Sequence, residues 1–287
     1  MKTILVPIDF SDYSINALNY ATELAKKNGY TIILLNIVEA PHGIEFNTYA
    51  DSHNSPGMDQ IFTMKYIEKV KKDMNTLATK PEYKEVVSKY FVKIDKVYDR
   101  ISETISDVEA DLVVMGTKGS SGLDEIILGS NAEKVVRFAE CPVIAVKKDQ
   151  KFEGINDIVF ASNFEENIPT IIDNLKSFAQ FNDAKIHLVR VNTPGDFITT
   201  TENKKLISEF ADKAGLENYS VNDFSHRTEE EGIVEFAQHI DADLISMMTH
   251  GYTGLSRLFN HSIAEDLVNS SPMPILTFNM NMEKKKK

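Results

Sequence analysis

The chain has no tryptophan and a single cysteine, Cys141. One thiol excludes an intramolecular disulfide framework and fits a reducing compartment. Because Cys141 precedes Pro142 at the start of an apolar run, it reads as a buried structural thiol. Positive charge is also scarce: 31 Lys and Arg stand against 43 Asp and Glu, a formal charge of −12. A nucleic-acid partner needs a basic surface to release counterions, so that class is set aside. The dense basic cluster, Lys284 to Lys287, reads as part of a solvated Lys-rich tail over 281–287. No apolar run approaches the length of a membrane span. The opening stretch is cut short by Pro7 and Asp9, which makes it a first strand and not a signal peptide. The expectation is a cytoplasmic protein with no membrane insertion.

What is present is a sequence written twice. With 287 residues and 42% apolar composition, the chain can bury two cores. Ile4-Leu5-Val6-Pro7-Ile8-Asp9-Phe10 recurs 154 residues later as Ile158-Val159-Phe160-Ala161-Ser162-Asn163-Phe164. Leu34-Leu35-Asn36-Ile37 returns at the same offset as Leu188-Val189-Arg190-Val191. Ala110-Asp111-Leu112 matches Ala242-Asp243-Leu244 at an offset of 132, so the first copy carries 22 extra residues in between. Their expected place is the aperiodic stretch from Pro41 to Met58, a length that marks a functional or mobile loop. Two copies predict two domains, 1–148 and 155–280, joined by the polar stretch from Lys147 to Gly154.

Apolar runs alternate with helical patterns in both copies. Strands are predicted near 2–8, 31–38, 87–93, 111–115 and 142–147, then near 156–161, 184–191, 219–225, 243–248 and 273–278. Helices are predicted near 12–27, 58–79, 97–108 and 130–139 in the first copy, with Asn28-Gly29 as a stop signal for the first of them. Repeated βα units imply α/β domains, each a doubly wound, Rossmann-like parallel sheet of five strands. With strand order 3-2-1-4-5, the ligand crevice falls between the ends of strands 1 and 4.

Those ends carry Asp9 and a glycine-rich loop. Gly116-Thr117-Lys118-Gly119, then Gly129-Ser130 after a nine-residue gap, lies between a strand and a helix start. Glycines let backbone N–H groups approach a phosphate, and a helix start offers unpaired donors and a positive dipole end. Ser130-Asn131-Ala132-Glu133 also fits a capping box, as does Ser262 to Glu265, so Ser130 reads equally as cap or phosphate ligand. In the second copy Gly116 becomes Met248, Gly129 becomes His261 and Asp9 becomes Asn163, while Gly119 persists as Gly251. Since the scaffold is shared, these departures point to loss of a phosphate cradle, and the double exchange Gly116→Met with Gly129→His is expected to leave the fold intact. No G-x4-G-K-[ST] loop is present, and no glycine fingerprint follows the first strand. His250 and His261 lack metal-ligand spacing, and Glu229-Glu230-Glu231 reads as a solvated helix start.

The sequence resembles a tandem universal stress protein over essentially its whole length. The resemblance rests on G-x2-G-x9-G-[ST] at Gly116, Gly119, Gly129 and Ser130, on Val-Pro-Ile-Asp-Phe-Ser from Val6, and on Cys-Pro-Val-Ile-Ala-Val from Cys141. It implies ATP as ligand, with Mg2+ as an open addition. Gly116, Gly119, Gly129, Ser130 and Asn131 would hold phosphates and ribose, and Asp9 would contact the adenosine end. The backbone of Ile37 would line the adenine slot beside Pro7. It also implies pairing of the two halves through Val143 to Val146 and Ile275 to Phe278 as an intramolecular pseudo-dimer, with a homodimer and an unidentified protein partner left open. Three functions follow: an ATP-binding stress-response regulator, a slow ATP hydrolase with Asp9 as candidate metal contact, or a nucleotide-free scaffold of chaperone-like kind. No catalytic residues are assigned.

Overall fold

The computed structural model describes residues 3–39, 58–118, 128–165, 169–249 and 263–280. In the first half β1 (Thr3–Pro7), β2 (Thr31–Val38), β3 (Val87–Ile94), β4 (Leu112–Gly116) and β5 (Val143–Val146) alternate with α1 (Asp12–Asn28), α2 (Met58–Ala78), α3 (Val97–Asp107) and α4 (Ser130–Phe138). The second half repeats the series with β6 (Asp157–Ala161), β7 (Lys185–Asn192), β8 (Tyr219–Ser225), β9 (Leu244–Thr249) and β10 (Ile275–Asn279). Its helices are α5 (Pro169–Asn182), α6 (Thr200–Ala214), α7 (Glu229–His239) and α8 (Ile263–Ser270). The apolar period therefore predicts every described strand to within two residues at each end.

All ten strands form one sheet in the order β3-β2-β1-β4-β5-β10-β9-β6-β7-β8. Each half has the expected 3-2-1-4-5 winding and is parallel throughout. The halves meet where β5 and β10 pair antiparallel, Leu276 opposite Ile144. Alternation along the strands feeds two cores. Ile144, Val146, Leu276 and Phe278 face the layer that holds α1, α2, α5 and α6. Val143, Ala145 and Ile275 face the layer that holds α3, α4, α7 and α8. Strands buried on both sides read as unbroken apolar runs, which is why they were legible.

The seam has pseudo-twofold character, with like residues meeting like. Asn28 donates to Asn182, its equivalent at the 154-residue offset, at 3.3 Å. Lys147, just past β5, donates to the Asn269 and Ser271 carbonyls at the end of α8, at 2.6 and 2.7 Å. A cation on the last carbonyls of a helix is favoured by the helix dipole. Thr277 donates to the Val136 carbonyl of α4 at 3.2 Å.

Local signals explain the element ends. Ser11 caps α1, accepting from the Ser14 N–H, and Gly29 closes it with φ 69°. Phe10 and Phe164 occupy the same turn in each half with φ 65° and 60°, a left-handed conformation that bulky residues rarely adopt. The extra chain of the first half is more dispersed than expected. The β2–α2 connection runs over 39–57 against 193–199 for β7–α6, but α2 also has 21 residues against 15, and 79–86 replaces 215–218. No described helix is long and apolar enough to cross a membrane. The Lys-rich tail and the stretch from 40 to 57 lie outside the described residues.

Leu276 is fully buried at the centre of the seam. Truncation in Leu276→Ala is expected to lower unfolding stability by about 3 kcal/mol, the usual cost of a cavity at such a site. Urea denaturation followed by circular dichroism checks this; a midpoint equal to that of the parent chain would show that the seam is not under tension from packing.

Candidate functional site

The chain leaves β1 toward β2 and leaves β4 toward β5, in opposite directions across the sheet. The two strand ends therefore open a crevice where the winding reverses. Pro7 ends β1 and Gly116 ends β4, on adjacent strands, as the sequence reading places them. β2 runs past β1: the last pair is Pro7 with Leu35, and the Ile8 N–H donates to the Leu35 carbonyl at 2.8 Å. In a parallel ladder alternate residues turn their amides to the same side, so Ile37 presents its N–H and carbonyl beyond the end of β1.

Asn36 completes this wall, a residue to which the sequence reading gave no role. It is buried, and its amide donates to the Ile8 carbonyl at 2.7 Å. Its Oδ1 is buried with no hydrogen-bond partner. An orphan acceptor inside a protein costs about 1–3 kcal/mol, so it marks a place for a donor. The signal in the sequence was one polar side chain inside the run Ile32 to Val38.

On the far side, Thr117 joins two elements. Its N–H donates to the Val146 carbonyl at 3.1 Å, and its carbonyl receives the Gly129 N–H at 3.0 Å. The start of α4 is thereby held at the end of β4. Gly129, not Ser130, is the cap residue of α4, with extended backbone and no side-chain cap. The capping-box reading of Ser130 and Glu133 is thus corrected by one position. Ser130 and Asn131 are the first helical residues; their N–H groups have no intrahelical acceptor, and among the described residues no side chain caps this turn. Gly119 lies outside the described residues, together with His250, Gly251, His261 and Ser262.

Two sequence inferences change in physical meaning. A Cβ on Gly116 would stand 2.7 Å from the Tyr13 carbonyl carbon and 2.8 Å from its Cβ. The glycine is required because α1 crosses the end of β4 at contact distance, so Gly116→Met is not neutral to this fold. In the second half the equivalent Met248 is partly buried and packs against the core. Asp9 accepts from the Ser11 N–H at 3.0 Å. Asn163 accepts from the Glu165 N–H at 3.3 Å in the same way. The exchange keeps the turn and removes a charge.

Arg190 replaces Asn36, is 5% exposed, and donates to Asn192 Oδ1 at 2.9 Å and to Asp196 Oδ2 at 2.5 Å. Asn192 donates to Asp223 at 2.8 Å and also accepts the Ile198 N–H at 3.2 Å. The short connection 193–199 is drawn down onto the strand ends by these bonds. Acids crowd the same end of the sheet: burial first, then Glu230 and Asp196, raise the pKa of Glu229 above the ordinary carboxylate range. Glu229 is half-buried, so the solvated helix start expected for Glu229 to Glu231 does not hold for its first residue. The first crevice instead gathers cations. Lys118 lies over the Tyr13 ring at 6.0 Å, and Lys148 pairs with Asp12 at 3.5 Å. Burial, and then Lys118, lower the pKa of Lys147. Cys141 is buried, and desolvation pushes its thiol far above the usual range, which leaves it inert. Among the described residues no group of three His, Cys, Asp or Glu could hold a metal ion.

These features define a class: a tandem pair of doubly wound α/β units that share one sheet. Comparison with known proteins agrees. The model of the universal stress protein family matches residues 1–147 and 156–279, and the chain belongs to that family. A universal stress protein of Methanocaldococcus jannaschii is 31% identical over 156 residues, covering 52% of this chain and 84% of the relative. One from Synechocystis is 23% identical over 290 residues, covering 97% of this chain and 100% of the relative. The crystal structure of a universal stress protein from Archaeoglobus fulgidus superposes with a TM-score of 0.73 at 20% identity, covering 97% of this chain and 98% of that one. That last likeness carries the fold.

Two outcomes are expected here. Gly116→Ala should cost about 2 kcal/mol of stability through overpacking against Tyr13, read as a shifted urea midpoint. Glu229→Gln should raise the melting temperature at neutral pH. A carboxyl with a raised folded pKa is destabilising while ionised, and that penalty fades as pH falls through the folded value, so the gain of the variant should shrink in acid. Melting curves from pH 7 down to pH 4 check the sign.

Proposed function

We propose that the chain is an ATP-binding regulatory protein of the cytoplasm, with one nucleotide held in the first-half crevice. The observation that carries the reading is the contrast between the two strand-end crevices. In the first, an orphan acceptor on Asn36, the strand-end amide of Ile37 and the uncapped start of α4 together offer what adenine and phosphates need. In the second, the equivalent strand position holds Arg190, whose guanidinium is already engaged by Asn192 and Asp196. Pro7, Asp9 and Ile37 would line the adenosine end. Gly116 would set the approach of the loop, and Gly119, Gly129, Ser130 and Asn131 would receive the phosphates, with Mg2+ as companion ion. A helix N-terminus without a competing side chain is a ready anion site.

In this reading the units 1–148 and 155–280 act as an intramolecular pseudo-dimer, in which the second unit supplies a rigid half and no nucleotide. Regulation would follow from shape: nucleotide bound at the switch point favours one arrangement of the neighbouring surface over another, and a protein partner reads the difference. The hydrolase reading has less support, because the Asp9 carboxylate is engaged in its own turn and Asp12 is paired with Lys148.

Isothermal titration with ATP, and chromatography of nucleotide released from purified protein on denaturation, test the proposal. One ATP per chain, lost in Asn36→Leu but kept in Arg190→Ala, is the expected result. ADP with steady phosphate release would favour the hydrolase, and no bound nucleotide with no melting shift in ATP would favour the scaffold.

A further inference from the structure

Asp157, His187 and Ser220 form a hydrogen-bonded chain across the neighbouring strands β6, β7 and β8. Asp157 opens β6, and His187 and Ser220 lie near the starts of β7 and β8. The group therefore sits at the amino ends of these strands, away from the crevice of its own half. Asp157 Oδ1 is 2.7 Å from His187 Nε2, and His187 Nδ1 is 2.8 Å from Ser220 Oγ. A carboxylate only accepts, so it holds the ring proton on Nε2 and leaves the Nδ1 lone pair facing the serine hydroxyl. Serine, imidazole and carboxylate in this order activate a hydroxyl for nucleophilic attack. The two ring nitrogens have exchanged places relative to the familiar triad, which leaves the held proton and the acceptor in their roles. The His187 side chain is 11% exposed, whereas Ser220 is half-buried and reachable from solvent.

The scaffold does not require this chain of bonds. At the 154-residue offset the first half has Thr3 and Ile33 in place of Asp157 and His187, and Ile33 is part of the core. The surroundings add what acyl transfer needs. β8 ends the sheet, and the Ile186 N–H bonds the Asn218 carbonyl as the His226 N–H bonds the Asn192 carbonyl, each at 3.0 Å. Even-numbered residues of β8 thus turn their amides to β7, and Val221 turns its N–H to the outer edge. The main-chain N–H that follows a nucleophile is a recurring oxyanion donor. A cavity of about 380 Å³ runs along the same edge, with Val221, Phe224 and Phe236 as its apolar part. Asn222 also lines it and joins it to the serine, donating to Ser220 Oγ at 3.1 Å.

We propose that Ser220 is an activated nucleophile and that this edge of the second half hydrolyses small carboxylic esters. Ser220 Oγ attacks the ester carbonyl carbon as its proton passes to His187 Nδ1, with the Val221 N–H as donor to the oxyanion. The bond from that carbon to the alcohol oxygen breaks as His187 gives the proton to the leaving oxygen. Water then attacks the acyl-serine and yields a proton to His187; the carboxylic acid leaves, and Ser220 takes the proton back. Asp157 is a positioning residue, since it acts through the His187 ring. The site shares no residue with the nucleotide crevice.

The test treats the full chain with a fluorophosphonate probe and, separately, follows hydrolysis of p-nitrophenyl butyrate. One phosphonyl group per chain, found on the Ser220 peptide by mass spectrometry, and loss of ester turnover in the labelled protein are the expected results. Ser220→Ala should lose both label and turnover, and His187→Gln should lower kcat about a hundredfold. Asp157→Asn should lower kcat at least about tenfold with KM unchanged, and Asp157→Glu should restore part of it. Circular dichroism melts confirm that each variant folds. No label on Ser220 in the parent chain, or butyrate turnover unchanged in Ser220→Ala, would overturn the proposal and leave the nucleotide site standing. Full labelling of Ser220 in His187→Gln would likewise overturn it, because the hydroxyl would then need no base.

Discussion

The antiparallel pairing of β5 with β10 is the contact on which the rest of the molecule depends. Without it each half would expose an edge strand whose residues, Ile144 and Leu276 among them, are wholly buried in the intact chain. An exposed apolar edge is a pairing hazard, and here it is removed within one molecule. The pairing also merges the cores. On each face of the sheet a single hydrophobic layer continues from the first half into the second. Lys147 on the end of α8, Thr277 on α4 and the Asn28–Asn182 contact then tie the helices across the same line.

This shared frame makes the difference between the two crevices interpretable. Both halves turn from the first strand into the first helix through a left-handed phenylalanine and an Asp or Asn that accepts a backbone N–H. The backbone solution is common, so the divergence lies in which polar groups are left over. Asn36 keeps an unpartnered acceptor, whereas Arg190 at the equivalent place bonds Asn192 and Asp196. A long connection follows β2 and a short one follows β7, and in the second half Arg190 and Asn192 tie that short connection to the strand through Asp196 and Ile198. Acids stand at this end of the sheet in both halves, Asp9 and Asp12 in the first and Asp196, Asp223 and Glu229 in the second, and the first half adds Lys118 and Lys148.

Much of this could be read from the residues alone, and the limits have physical causes. The central strands were legible because both faces are buried and their apolar runs are nearly unbroken, while the edge strands β3 and β8 are only partly buried and were placed by the repeat of βα units. The repeat offset and the glycine spacing pointed to the ends of β1 and β4, which are adjacent strands of the sheet. The capping of α4 was misread by one residue, since Ser-x-x-Glu satisfies a local pattern while the Thr117 carbonyl fixes the helix start at Gly129 through a bond the pattern does not contain. Gly116 was read as room for a ligand, but the atom that needs the room is the backbone of Tyr13, more than a hundred residues away in the chain. The roles of Asn36 and Arg190 were missed because a polar residue in a strand gives no sign of what lies across from it.

The sequence by itself determined the α/β class, the duplication, the winding of each sheet and the place of the crevice, because these follow from local period and from short-range connection rules that each segment obeys on its own. Tertiary structure decided which polar groups are satisfied and which are left waiting. That depends on distances between Asn36 and Ile8, Arg190 and Asp196, Lys118 and Tyr13, and such distances come into being only when strands and helices far apart in the chain pack together.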